Sequence, residues 1–285
     1  AGVLTGDVSR VGADPVTGTG TLNLKPYATV GIEAGGEVSL DHDGAITAAG
    51  PTLTTTGPVA EVFTGIYAGL RVESRSGDVA VDSNGALSVE GSARVATAAG
   101  TGDGVLAEAG QDRNFSPVAD LEYSELLGLR MSEHHGVYML GNGDLSLTRT
   151  GAISLSGGGA TATATGTSVG SGETVTANAD PSSAIGIYVP SYSSPFIDGS
   201  GPPRFDTAMI DSTGAISVTS APVSANATAA GGGSAVADAG DVNVPLGGIL
   251  AQSQGTFSLI QRGDVTVTEG PISAFADAGP GFVGV

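Results

Sequence analysis

Catalysis and metal binding need histidines, cysteines, carboxylates or an activated serine at workable spacings. Cysteine is absent, so the chain has no thiolate site and no disulfide framework. The histidines are three: His42, His134 and His135. His42 lies between Asp41 and Asp43 in what reads as a solvated corner turn. His134 and His135 are adjacent, so on a strand they face opposite ways and cannot share a metal; neither H-x-E nor HExxH spacing occurs. Acidic turns at Asp103, Asp144 and Asp264 hint at calcium, but the stacked GGxGxD nonapeptide is missing and GTGDG from Gly100 is an isolated approximation. GTSVG from Gly166 has the letters of a nucleophile elbow around Ser168. That elbow needs a strand before it and a helix after it, whereas a Gly/Ser-rich turn follows here. Asp198, Arg204, Asp206 and Asp211 form one mixed-charge grouping that a glycan-cleaving enzyme could use. Taken together, these residues give no catalytic, cofactor or metal site, and no cofactor is expected.

Composition narrows the function classes further. The formal net charge is −19 and Lys25 is the single lysine, which argues against nucleic acid and anionic lipid as partners. Apolar residues make up 40% and the mean hydropathy is +0.19, too apolar for a disordered chain. No apolar run is long enough to cross a bilayer as a helix, so direct membrane insertion is not expected. Aromatics are 5%, tryptophan is absent and glycine numbers 47. Such a core must be built from many small aliphatic side chains in regular layers.

A repeat supplies those layers. GAITA from Gly44, GALSV from Gly85, GAISL from Gly151, GAISV from Gly214 and GPISA from Gly270 are short alternating strands, each opened by a turn glycine. A second phrase precedes each: GEVSL from Gly36, GDVAV from Gly77, GDLSL from Gly143, DTAMI from Asp206 and GDVTV from Gly263. The step between the two is nearly constant, and the linking DHD, DSN, TRT and DST read as turns. A third phrase lies upstream at variable distance: GIEA from Gly31, GIYA from Gly65, GVYM from Gly136, GIYV from Gly186 and GILA from Gly248. GVLA from Gly104 looks like another copy. One fixed corner and one variable corner describe coils whose loops grow outward without disturbing the stacking. Val38, Leu40, Val79, Val81, Leu145, Leu147, Val265 and Val267 form one inward set. Ile46, Leu87, Ile153, Ile216 and Ile272 form another. Ala/Thr segments from Ala93, Ala160, Ala225 and Ala235 add strands with inward alanines, either as a narrower part of each coil or as a second coil per repeat.

Two segments interrupt the repeat. Residues 111–135 carry a helical pattern after Ser116-Pro117, with Tyr123 and Leu126 as candidate contact residues. Residues 190–205 are rich in proline and aromatics, and Tyr192, Phe196 and Phe205 are candidate partner contacts. Tyr67, Tyr138 and Tyr188 share a place in the third phrase and are expected to stack as an aromatic ladder. Thr-x-Thr occurs at TLTTT from Thr52 and ATATAT from Ala160; an ice-binding face would need it in register, and in the sequence it looks scattered.

The GIYA…GDVAV…GALSV phrases resemble the repetitive passenger regions of bacterial autotransporters and related large secreted adhesins. The resemblance covers nearly the whole chain and carries over no binding residue. It implies an all-β fold: a parallel β-helix, or β-solenoid, of about six or more coils over residues 1–285, with variable loop insertions and one short helix. It also implies an extracellular, cell-surface location and a structural or adhesive role. The expected partners are other copies of the chain, or a glycan or protein on a host or neighbouring cell. A self-assembling filament subunit and a carbohydrate-active β-helix enzyme are the alternatives. Ending at Val285 in what reads as the opening of another coil, the chain is expected to be part of something longer.

Overall fold

The computed structural model describes residues 2–6, 8–11, 15–24, 27–64, 67–111, 134–167, 169–182, 184–189, 207–240, 246–251 and 255–278. These residues form 26 strands and no helix, in four sheets whose strand pairs all run parallel. The helix expected within 111–135 falls on residues 112–133, outside the described residues.

Sheet A holds β1 (Gly2–Thr5), β5 (Val38–Asp43), β9 (Val79–Asn84), β14 (Leu145–Thr150), β19 (Thr207–Thr213) and β24 (Thr256–Arg262). Sheet B holds β2 (Val8–Val11), β6 (Ile46–Ala49), β10 (Leu87–Glu90), β15 (Ile153–Ser156), β20 (Ile216–Thr219) and β25 (Val265–Thr268). In sheet C, β3 (Val16–Leu24) and β7 (Leu53–Thr64) are long. Later passes divide into β11 (Arg94–Thr101) and β12 (Val105–Gln111), β16 (Ala160–Thr167) and β17 (Thr174–Ala179), and β21 (Val223–Ala230) and β22 (Ser234–Ala239), with β26 (Ile272–Asp277) last. Sheet D holds β4 (Tyr27–Ala34), β8 (Tyr67–Ser74), β13 (His134–Leu140), β18 (Ala184–Val189) and β23 (Leu246–Ala251). The chain thus visits A, B, C and D in order five times and starts a sixth circuit.

The corner from A to B explains the near-constant step. Gly44, Gly85, Gly151, Gly214 and Gly263 all have φ between 103° and 141°. L-residues with a side chain avoid that region, and a Cβ on the upper four would strike the carbonyl of the glycine one circuit below. The triplets read as turns are strand instead: DHD, DSN and TRT end β5, β9 and β14. Their middle residue alternates inward, so the solvated His42 is corrected to a fully buried one, with Nδ1 3.3 Å from Ser83 Oγ. Ser83, Arg149, Ser212 and Gln261 continue the same column in register.

The last repeat is also corrected. Gly263 is the A-to-B corner of the sixth circuit, and Val265 pairs with Ile216. GDVTV is therefore the sheet B phrase, and the sheet A strand is TFSLIQR. Ile272 pairs with Val223 in sheet C. GVLA from Gly104 likewise opens β12 of sheet C rather than a strand of sheet D.

The interior has two lobes. Sheets A, B and D enclose Val, Leu and Ile, among them Leu40, Val81, Leu147, Ile153 and Ile216. Sheet C folds back on itself around a second cluster made largely of alanine: Ala96, Ala98, Ala107, Ala162, Ala177 and Ala225. The Ala/Thr segments are thus a narrow limb of the same circuit. Sheet D presses on sheet B through a glycine column, Gly69, Gly136, Gly186 and Gly248, where a Cβ would meet Leu87, Ile153, Ile216 and Val265. That column resets the third phrase. Gly136, Gly186 and Gly248 align, whereas Gly69 rather than Gly65 belongs with them, and Gly31 pairs with Arg71.

Candidate functional site

The densest chemistry among the described residues lies on and beneath sheet D. Strand β13 begins with both histidines, which point to opposite faces and are both fully buried.

The outward face carries His135, Tyr138, Ile185 and Tyr188. The His135 ring stacks on Tyr188 at 4.9 Å and sits 5.3 Å from Tyr138, and the two tyrosines meet edge to face at 5.7 Å. Arg71, one circuit below and in register with Tyr138, lies 5.8 Å from its ring centroid. Glu73 accepts a 2.6 Å hydrogen bond from Arg71 Nε. Burial lowers the Arg71 pKa, but the bond and charge of Glu73, with Tyr138 and Glu33, outweigh it and hold the value above that of ordinary arginine. Burial, reinforced by the Arg71 charge, pushes His135 down to about 3. At neutral pH the cluster is therefore a neutral imidazole between two phenol rings beside a fixed cation.

The register decides the tyrosine ladder. Tyr138 and Tyr188 pair directly, but Tyr67 pairs with Tyr27 and His134, four residues before the ladder position, where Arg71 stands instead. The ladder is thus corrected to Arg71–Tyr138–Tyr188. It is buried, with 5% and 7% of the two tyrosines exposed, so its rings are not an open sugar platform.

The inward face meets the waist between the lobes. His134 Nε2 accepts the Gly158 N–H at 3.4 Å, and a Cβ on Gly91 would collide with the same imidazole. Arg94, fully buried, donates from Nη2 to Ser182 Oγ at 2.7 Å, to Asp180 O at 3.0 Å and to Gly158 O at 3.5 Å; Ser182 Oγ donates to Gly158 O at 2.9 Å. These bonds tie the corner entering sheet C to the corner leaving it. Arg94 stands in an Ala/Val-rich segment, and its one signal there is an arginine at an inward position of an alternating strand.

A second buried arginine, Arg149, closes the A-to-B corner. Its Nη2 donates to Gly151 O at 2.7 Å and to Gly85 O and Ala152 O at 3.3 Å. Burial lowers its pKa to about 10, which keeps it charged at neutral pH.

Most of the remaining candidates fall outside the described residues. Tyr123, Leu126, Tyr192, Phe196 and Phe205 lie outside the described residues, as do Asp198, Arg204, Asp206 and Ser168. Asp211 forms an ion pair with Arg262 of the next circuit. The carboxylates of Asp78 and Asp103 accept backbone N–H groups of Asp144 and Thr174. Among the described residues no group of three or more His, Asp or Glu could hold a metal.

The threonines, by contrast, are not scattered. On the outer face of sheet C, Thr17, Thr54, Val95, Thr161 and Ser224 fall in one column, and Thr19, Thr56, Thr97, Thr163 and Asn226 in the next.

No protein family, no curated protein and no solved structure matches the chain.

Proposed function

We propose that the chain is a parallel β-helix, or β-solenoid, serving as a structural and adhesive rod at an extracellular bacterial surface, of the kind found in autotransporter passengers. What carries this reading is the register: every circuit lays its strands on the same sheets in the same order, all parallel. A stack of this type transmits load along its axis through ladders about 4.8 Å apart. The variable stretches leave from the ends of sheets C and D, where loops can reach a host glycan or protein without breaking the stack. Electron microscopy of the purified chain tests the rod. Narrow rods that lengthen when circuits are added support it; compact particles of fixed size oppose it.

Self-assembly into a filament is the second reading, favoured by the sixth circuit. Phe257, Leu259, Val265, Val267 and Ile272 are 41–56% exposed, while their partners one circuit below, Ala208, Ile210, Ile216, Val218 and Val223, are at most 2% exposed. A further layer, either the chain's own continuation or a second copy, would remove that apolar surface from water. Mass that grows with concentration in light scattering, and stops growing in Val267→Lys, would support assembly through this end. A concentration-independent monomer would exclude it.

A further inference from the structure

We propose that the A-to-B corner holds a small monovalent anion, chloride, between Arg149 and Ser212. The site goes beyond the rod reading and does not depend on it.

One inward column runs through this corner in register: His42, Ser83, Arg149, Ser212 and Gln261, on β5, β9, β14, β19 and β24. Two of its members bond the corner glycines in the same way. Gln261 Nε2 donates to Gly214 O, one circuit below, at 2.8 Å and to Gly263 O on its own circuit at 3.5 Å. Arg149 Nη2 donates to Gly85 O, one circuit below, at 3.3 Å and to Gly151 O on its own circuit at 2.7 Å. A neutral amide is therefore enough to close the corner. Arg149 brings two things more: a positive charge, and the N–H groups of Nε and Nη1.

Neither is used within the protein. Arg149 and Ser212 are each 1% exposed, and Arg149 Nε, Arg149 Nη1 and Ser212 Oγ have no hydrogen-bond partner among the described residues. The guanidinium bonds only the carbonyl oxygens of Gly85, Gly151 and Ala152, and no neighbouring charge contributes to its lowered pKa. A buried charge without a counter-charge is strongly unfavourable, and arginine does not shed its proton at neutral pH. With no carboxylate beside it, the charge calls for an anion from solution.

The column shows where that anion sits. Ser83 and Ser212 are its two small members, so side-chain volume is lowest on either side of Arg149, and successive circuits lie about 4.8 Å apart. Ser83 Oγ is engaged with His42 Nδ1 at 3.3 Å, which leaves the Ser212 hydroxyl as the donor. Gln261 Oε1 is also buried without a partner, but it is an acceptor and repels an anion. The anion therefore belongs on the Arg149 side of Ser212. Nε–H, Nη1–H and the Ser212 O–H suit a small, singly charged acceptor. Water would meet the same donors but leave the charge uncompensated, and phosphate brings more oxygens than these donors match.

Urea unfolding of the whole chain tests the site, in sodium chloride and in sodium gluconate at equal ionic strength. Gluconate is too large for an interior site. The two salts also differ in their general effect on apolar burial, so the native chain is compared with Arg149→Gln in both. That variant can keep the corner bonds, as Gln261 does, and loses the charge and the extra donors. Once chloride exceeds its dissociation constant, each further tenfold rise should increase the folded-to-unfolded ratio of the native chain about tenfold relative to gluconate. Arg149→Gln should show no such rise, and Ser212→Ala should show it only at higher chloride. An equal chloride response in the native and Arg149→Gln chains overturns the proposal. So does the absence of a response in the native chain, which would mean that water fills the corner. Should Arg149→Gln not fold, crystals of the native chain grown in sodium bromide decide: an anomalous peak against Arg149 and Ser212 supports the site, and no peak there overturns it.

Discussion

The two lobes of each circuit solve the same packing problem in opposite ways. The wide lobe, between sheets A, B and D, is filled by layers of Val, Leu and Ile reaching from three sides. In the narrow lobe two limbs of sheet C face each other, so the space between backbones is set by alanine. Each large aliphatic buried in the wide lobe contributes roughly 1.5–3 kcal/mol, and an alanine methyl much less. The narrow lobe is held instead by its ladders: β11, β16 and β21 pair over eight consecutive residues. Side-chain volume thus stabilises one lobe, and strand length the other.

The clearest way to break this comparison is to swap the volumes. Leu147→Ala should leave a cavity in the wide lobe and cost about 2–5 kcal/mol in denaturant unfolding. A loss below 1 kcal/mol would mean that the lobe collapses around the gap and is not layered as described. The reverse change, Ala162→Leu, should cost about 1–3 kcal/mol, because the facing limb leaves no room. If Ala162→Leu were neutral, alanine would not be setting the spacing of the limbs.

The waist gives a third test. Arg94→Met keeps most of the side-chain volume but strips the carbonyls of Gly158 and Asp180 and the Ser182 hydroxyl of a donor. The expected loss is about 1–3 kcal/mol, with exchange rising first at residues 91–94 and 180–182. Uniform loosening along the chain would show that the two corners are not joined there.

Acid should strike the wide lobe first, since His135, whose pKa burial lowers, lies on sheet D. For His135 the sign follows from its lowered pKa. Unfolded chains bind the proton below about 6.5, and the folded chain does so only below about 3. Stability is therefore complete above pH 6.5 and falls by about 1.4 kcal/mol per pH unit for this group between those limits. Tyrosine near-UV circular dichroism reads the change, and a signal constant down to pH 4 would contradict it. The smallest effect belongs to the outer threonines. Thr163→Val should change stability by at most about 0.5 kcal/mol, since the hydroxyl faces outward.

Legibility followed the physics of each position. The A-to-B corner was readable because only glycine tolerates its φ, so Gly44, Gly85, Gly151 and Gly214 recur in plain sight. The third phrase misled at Gly65 and Gly31, because the glycine needed there answers to a neighbour in another sheet rather than to its own turn. DHD and TRT look like turns, since the polarity of His42 and Arg149 hides their inward direction. The fifth repeat slipped because GDVTV fits two phrases equally well, and only its pairing with Ile216 chooses between them.

The sequence by itself determined an all-β chain of short alternating strands with one fixed corner, because alternation and turn glycine are local properties. Tertiary structure alone decided that the alanine segments form a second lobe of the same circuit. It also decided that Arg71 rather than Tyr67 extends the tyrosine column, and that the threonines share a face. Each of these depends on which residues of distant circuits lie opposite one another, and register is set by packing across the whole cross-section.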